Sequence, residues 1–429
     1  MAGFNQKAHI FLAGAIAFLI PSYPGALALA IGLFVLNWLC APRLIKQGFK
    51  NVLNPVSFAM ITVYLLYLLG MLYTENLKIG VETIETKFSF LILPFVFASY
   101  PDVTREKLNT YLKLFIYGCS VNALMCLGRA IYRFAKPVYV DLYGVPYDLG
   151  LDYFYYNELS DFFHPSYIAM YCIFALFGIV YLQNRKEISI GINKTGIVWL
   201  AITTLLILYT LLLSSKAGWI GLFIFAAYFF IQLAGAKKII QGALMLLLLG
   251  IAFYFLNLRY TPKFSVRIPK MEVITQTLKG NDNENKKITT STDGTGSRIL
   301  VWKAAIDIIK ENVWFGVGTG DAKDKMLETY KAKGMVSEYE SKLNSHNQFL
   351  NSFIALGIPG FLSLLLCLLI PAYYSLKEKY FLYIAFVGIA GLNFLFESML
   401  ERQAGVIYFA FFYSLLYFNL QRFKTIEQP

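Results

Sequence analysis

Long apolar runs recur along this chain, and they constrain its fold more than any other feature. Each run extends over about 17–22 residues, the length that an α-helix needs to cross the hydrocarbon core of a bilayer. Charged residues make up 15% of the sequence, compared with roughly 25% in soluble domains. The runs lack the period-two alternation that a membrane β-barrel requires. We therefore predict an all-α integral membrane protein.

The apolar runs predict about twelve transmembrane helices. They cover residues 8–22, 23–41, 56–75, 86–100, 110–132, 164–183, 195–214, 216–234, 239–257, 356–375, 380–397 and 403–421. The first run lacks a small-residue cleavage site, so we interpret it as a retained helix and not as a signal peptide. The organisation that follows has three parts: helices 1–9 in 1–257, a large loop in 258–355, and helices 10–12 with a tail in 356–429.

Basic residues indicate the orientation of these helices. Lys and Arg are concentrated in the short connections after the even-numbered runs, for example at Arg43, Lys46 and Lys50, and cytoplasmic loops carry such an excess. Both termini are then cytoplasmic, and the long segments 133–163 and 258–345 lie on the opposite side, which is the periplasm in a bacterium. This distribution explains the net charge of +12 without a nucleic-acid partner.

The second long segment carries a predicted surface helix. A polar linker, KGNDNENKKITTSTDGTG, precedes a helix that we expect to begin at Ser297 and to be ended by the turn FGVGTGD. One face of this helix would carry Ile299, Trp302, Ile306 and Ile309. Such an amphipathic helix would lie on the membrane surface or against the bundle.

His346 is the strongest candidate for chemistry. It is one of only three histidines and lies in NSHNQFL, at the edge of an apolar run. Its amide neighbours, including Asn347, could orient the ring, and an imidazole can take a proton at neutral pH. The alternative is that this polar cluster only caps a helix.

Three other ionisable residues fall on the same predicted face. Lys216, with Ser215 at a helix start, could bind a phosphate, or it could be a lysine that snorkels to the interface. Arg298 could bind an anionic pair of oxygens through both arms of its guanidinium, or it could be an ordinary surface arginine. His164 precedes a proline at a helix N-terminus, which favours a structural or substrate-positioning role.

The sequence predicts neither a metal nor a cofactor. The five cysteines all lie in apolar runs without CxxC spacing, which argues against a disulfide framework or a metal site. The glycines of Gly316–Gly320 lack the preceding strand of a dinucleotide-binding unit, so we interpret them as a turn.

Four stretches together resemble the O-antigen ligase family, which shares a domain with O-antigen polymerases. They are HPSYIAMY, LLSSKAGWIGL, SRILVWKAAIDIIKENVWFGVGTGD and SHNQFLNSFIALGIPG. The resemblance covers roughly residues 160–410. One position departs from the family pattern: Lys216 stands where an arginine is usual, which keeps the charge but loses bidentate geometry.

The resemblance implies a glycosyltransferase of the bacterial inner membrane with its active site facing the periplasm. Its donor would be a polyprenyl-diphosphate-linked glycan and its acceptor the lipid A–core, with no metal and no nucleotide sugar. His346 would be the base, and Arg298 and Lys216 would stabilise the leaving diphosphate. Glu401 and Arg402 would pair and support the site.

Other functions remain open at this stage. An O-antigen polymerase or a protein O-oligosaccharyltransferase would need the same donor chemistry, and the motifs do not separate them. A polysaccharide or lipid transporter belongs to another class, and it usually shows paired repeats with charges at the midplane. Here the unusual charges collect at one face.

Overall fold

The computed structural model describes residues 2–100, 103–136, 150–191, 193–230 and 294–427, and its regular elements in these ranges are helices. The α-helices are α1 (Ala2–Ser22), α2 (Pro24–Leu39), α3 (Pro42–Asn51), α4 (Pro55–Gly70), α5 (Leu77–Lys87), α6 (Ser89–Ser99), α7 (Arg105–Ala135), α8 (Tyr156–Leu159), α9 (Pro165–Asn184), α10 (Lys194–Leu212), α11 (Lys216–Phe230), α12 (Gly294–Glu311), α13 (Ala322–Ala332), α14 (Val336–Glu340), α15 (Gln348–Lys377), α16 (Phe381–Phe396) and α17 (Gln403–Glu427). Short 3₁₀ segments occupy Met71–Tyr73, Gly150–Phe154 and Met399–Glu401.

Helix starts follow from local sequence chemistry. Proline occupies the first turn of α2, α3, α4 and α9, where its missing N–H costs no hydrogen bond. Side-chain oxygens of Asn54, Asn76 and Asn193 accept hydrogen bonds from the first turns of α4, α5 and α10. Each cap satisfies a backbone donor that the helix cannot.

Six of the described helices are long and apolar enough to cross a membrane, or seven if α2 and α3, bent by 99°, form one span. The six are α4 with its 3₁₀ extension, α7, α9, α10, α15 and α17. Shorter apolar helices occupy the predicted runs at α11 and α16. The all-helical membrane class is thus supported, while the count of twelve and the periplasmic loop stay predictions. The run 239–257 lies outside the described residues.

The centre of the bundle is formed by α9 and α17. Helix α9 is buried on all sides, and α17 is buried along most of its length. Around them pack α7, α6 and α16, and α10 borders α9 with most of its residues half-buried or exposed. Rings from α7, α9, α16 and α17 meet in this core, among them Phe115, Phe174, Phe386 and Phe412.

Helix α15 is broken at Gly357, where the backbone has φ 64° and ψ −152°. Backbone groups near the break lose their hydrogen-bond partners within the helix, and the segment after α12 supplies new partners. Val317 N–H donates to the Ile354 carbonyl at 2.8 Å, and Ile358 N–H donates to the Val313 carbonyl at 2.9 Å. The predicted turn at 315–321 therefore docks on the break and fixes the first half of α15.

Three expectations about element boundaries need correction. The predicted span 86–100 is shortened at its start, because residues 86 and 87 end α5 and the apolar helix α6 covers only Ser89–Ser99. The predicted span 356–375 starts earlier, at Gln348, and contains the break. The loop helix begins at Gly294 and not at Ser297.

The predicted apolar face of the loop helix is only partly correct. The residues that α12 buries completely are Val301, Ala304, Ala305 and Ile308. Ile306 is exposed, and Trp302 and Ile309 are only partly buried. The helix packs close against α15, and small alanines permit a closer approach than the bulky residues of the predicted face.

Candidate active site

The site is built where the loop 341–347 enters α15. The side-chain oxygen of Asn347 accepts hydrogen bonds from Phe349 N–H and Leu350 N–H at 2.9 and 3.1 Å, and its amide donates to the Leu395 carbonyl. His346, one residue earlier, has φ 44°, and its N–H donates to the side-chain oxygen of Asn344 at 3.0 Å. The two asparagines therefore fix the backbone on both sides of the histidine.

His346 pairs with Glu397, a residue that the sequence reasoning did not identify. The ring Nδ1 lies 3.0 and 3.2 Å from the two carboxylate oxygens of Glu397. The histidine side chain is 23% exposed and the glutamate 8%. Ser398 N–H also donates to Glu397 Oε1 at 3.1 Å. The pair thus has a buried carboxylate and a ring that is accessible from one side.

The environment keeps Glu397 ionised. Burial acts to raise the pKa of this carboxyl. The hydrogen bond from His346, the charges that His346 and His164 carry when protonated, and the charge of Arg298 outweigh burial and hold the pKa below its usual value. An ionised carboxylate can only accept hydrogen bonds, so Nδ1 of His346 carries a hydrogen. In the neutral ring, Nε2 is then the free acceptor, which is the protonation state of a general base.

A cavity of about 470 Å³ adjoins this pair. Its walls come from the helices α4 and α5, the starts of α9, α13 and α15, the turn before α13, the loop 341–346 and the segment 397–402. The predicted site residues that line it are His346, His164, Glu401 and Arg402. A small-molecule site of this kind is concave and carries a few convergent polar groups.

His164 offers a hydrogen-bond donor to this cavity. Its Nδ1 accepts from Ser166 N–H at 3.4 Å as the N-cap of α9. Burial lowers the pKa of the ring, and the nearby charges of Arg402 and Arg298 add to this, although Glu397 opposes it. The ring is therefore neutral at pH 7 with its hydrogen on Nε2.

The remaining predicted residues are not among those that line the cavity. Arg298 does not line it, but its charge acts on Glu397, His164 and Tyr156. Lys216 and Ser215 are also outside the lining, and the Ser215 hydroxyl accepts from Gly218 N–H at 3.3 Å. Asn347 is a helix cap with both polar atoms of its side chain engaged in the protein.

The sequence suggested that Glu401 pairs with Arg402. In the structure Glu401 pairs with Lys87 instead. Lys87 Nζ donates to Glu401 Oε1 at 3.1 Å and to the Leu400 carbonyl at 2.9 Å. The side chain of Lys87 is 1% exposed and lies 4.5 Å from the centroid of the Tyr67 ring. Gln348 completes the network, since it donates to Glu401 and accepts from Leu400 N–H. A buried cation needs such partners.

Glu397 and Lys87 could have been found from the sequence. Glu397 ends an apolar helix in NFLFESML, and Lys87 precedes the apolar run FSFLILPF. An ionisable residue at such a position is costly unless it has a partner. What the sequence does not show is which partner, because Glu397 and His346 are 51 residues apart.

The charged residues of the site do not form a metal cluster. Within the described ranges, no group of three or more His, Cys, Asp or Glu side chains is placed to hold a metal ion. The chemistry that the geometry supports is proton abstraction by His346 next to cationic side chains.

Comparison with known proteins agrees with the sequence motifs. Residues 200–365 match the family model of the O-antigen ligases, which confirms the resemblance over this segment. An uncharacterized protein of Haemophilus influenzae (strain Rd) is 28% identical over 179 residues, which cover 41% of this chain and 42% of the relative. The match thus spans less than half the length of either protein.

Proposed function

We propose that this protein transfers a glycan from a polyprenyl-diphosphate carrier to a sugar hydroxyl of the lipid A–core, at the periplasmic face of the bacterial inner membrane. The observation that carries the proposal is the hydrogen bond between His346 and Glu397 at the wall of the cavity. A histidine held by a buried carboxylate is the arrangement by which enzymes remove a proton from a hydroxyl. The family of residues 200–365 supplies the reaction class.

In the proposed reaction His346 takes the proton of the acceptor hydroxyl on Nε2. The acceptor oxygen forms a bond to the anomeric carbon of the donor, while the bond from that carbon to the phosphate oxygen breaks. The products are a glycoside, a polyprenyl diphosphate and a proton on His346. Glu397 stabilises the imidazolium that forms. Direct displacement inverts the anomeric carbon.

The leaving diphosphate needs positive charge. Arg402 lines the cavity, and the charge of Arg298 acts on His164 in the cavity wall. We therefore assign both arginines to the diphosphate, together with the predicted Lys216. His164 adds an N–H donor. Fixed cations of this kind stabilise charge that develops in a transition state.

A reconstituted transfer assay tests the proposal. Purified protein, polyprenyl-diphosphate glycan and lipid A–core are combined with EDTA, for the wild type, His346→Ala and a surface control, Lys331→Ala, from the same loop. We expect transfer by the wild type and the control, and none by His346→Ala. Transfer by His346→Ala would refute the base assignment.

The same assay separates ligase from polymerase. Growth of the glycan on the polyprenyl lipid, without transfer to lipid A–core, would replace the ligase assignment with the polymerase. Transfer to a Ser or Thr hydroxyl of a protein acceptor would favour an oligosaccharyltransferase. Absence of transfer to any of the three acceptors would refute the transferase assignment.

A further inference from the structure

Helix α5 gives the cavity a polar face that the proposed proton transfer does not use. Five residues of this helix line the cavity: Ile79, Glu82, Thr83, Thr86 and Lys87. They recur at intervals of three and four residues, which places them on one side of a helix. This face therefore forms a continuous wall along α5.

The cation of this wall is already neutralised. Lys87 is 1% exposed and bonded to Glu401 and to the Leu400 carbonyl, so it offers little charge to a phosphate. The exposed carboxylate of Glu82 would repel phosphate oxygens. What the wall offers is two hydroxyls and one carboxylate, which are groups that form hydrogen bonds with sugar hydroxyls.

The wall is also held in place. Asp321 accepts hydrogen bonds from Glu75 N–H and Asn76 N–H at 2.9 and 2.7 Å, just before α5 begins. At the other end, Lys87 ties α5 to the segment that carries Glu401. Binding groups fixed on a rigid helix lose little entropy when a ligand binds.

We infer that Glu82, Thr83 and Thr86 bind the acceptor sugar through its hydroxyl groups. The inference rests on the proposed transfer reaction. An inverting displacement brings the nucleophile to the anomeric carbon from the side opposite the leaving group. We assign the diphosphate to Arg298 and Arg402 on other elements, which leaves Glu82 and the two threonines of the α5 wall to the acceptor.

Kinetics with two substrates test the inference. Glu82→Gln and the double variant Thr83→Val/Thr86→Val are compared with Glu85→Gln, an exposed carboxylate on the same helix that does not line the cavity. We expect KM for lipid A–core to rise roughly tenfold for each lost hydrogen bond, with KM for the donor and kcat unchanged. Glu85→Gln keeps all three parameters.

A rise in donor KM with acceptor KM unchanged would assign the wall to the donor glycan and overturn the inference. Unchanged values in both variants would overturn it as well. Neither result touches the proposed function, which depends on transfer by the wild type and its loss in His346→Ala.

A direct binding measurement tests the inference without relying on catalytic turnover. Lipid A–core in detergent micelles is titrated into His346→Ala with and without the α5 substitutions. Weaker binding by the α5 variants supports the inference even where transfer is not observed. Equal binding, or no binding of lipid A–core by His346→Ala itself, overturns it.

Discussion

Glu397 fixes the orientation of the His346 ring in this structure, because its carboxylate oxygen Oε1 lies 3.0 Å from the ring Nδ1. Replacing Glu397 with Gln keeps the size but removes the charge that stabilises the imidazolium and fixes the tautomer. We expect kcat to fall about 10²–10⁴-fold, with little change in donor KM. Glu85→Gln serves as the matched control, and an unchanged kcat would show that Glu397 has no role in the chemistry.

The same carboxyl predicts a pH dependence of stability. In the folded protein, its surroundings hold the pKa of this carboxyl below the usual value of a glutamate. A lowered pKa stabilises the fold above the unfolded value, and this stability is lost as the pH falls through the folded pKa. The difference in Tm between the wild type and Glu397→Gln in detergent should therefore be greatest near neutral pH and shrink below about pH 4.5. A constant difference down to acid pH would contradict this.

At the scale of elements, two glycines hold the turn against the broken helix. A Cβ on Gly316 would lie 2.5 Å from the backbone of Ala355, and one on Gly357 would lie 2.5 Å from the backbone of Trp314, and both residues have positive φ. Gly334 also has positive φ, but open space surrounds it. Gly334→Ala should lower the free energy of unfolding by about 1–2 kcal/mol. Gly316→Ala or Gly357→Ala should lower it clearly more. Unfolding in detergent measures the difference, and equal costs would refute the packing argument.

The sequence predicts elements better than it predicts their breaks. Length and hydropathy predict the six long apolar helices of the described residues, because one bilayer thickness sets their length. The break at Gly357 depends on a hydrogen bond donated by Val317 N–H and one accepted by the Val313 carbonyl, and both residues lie some 40 residues away in the chain. The buried face of α12 was misplaced because the choice between Ala304 and Ile306 is made by the surface of α15 and not by periodicity.

At the scale of the whole molecule, the site lies where the ends of three helices come together. His164 starts α9, His346 precedes α15, and Glu397 follows α16. The predicted orientation put the two histidines on one face, so their common location could be inferred. The pairing of His346 with Glu397, and of Glu401 with Lys87, could not, because it depends on how α5, α15 and α16 pack.

The orientation of the bundle is the last prediction, and it decides whether the site can meet a periplasmic donor. Positive charge in the connections places Lys186 in the cytoplasm and the loop with Lys331 in the periplasm. Both side chains are exposed. In a background with the five native cysteines replaced, Lys331→Cys should react with a membrane-impermeant maleimide in cells whose outer membrane is opened. Lys186→Cys should react only after the inner membrane is permeabilised. The reverse pattern would place the His346–Glu397 pair in the cytoplasm, where the proposed donor and acceptor do not meet.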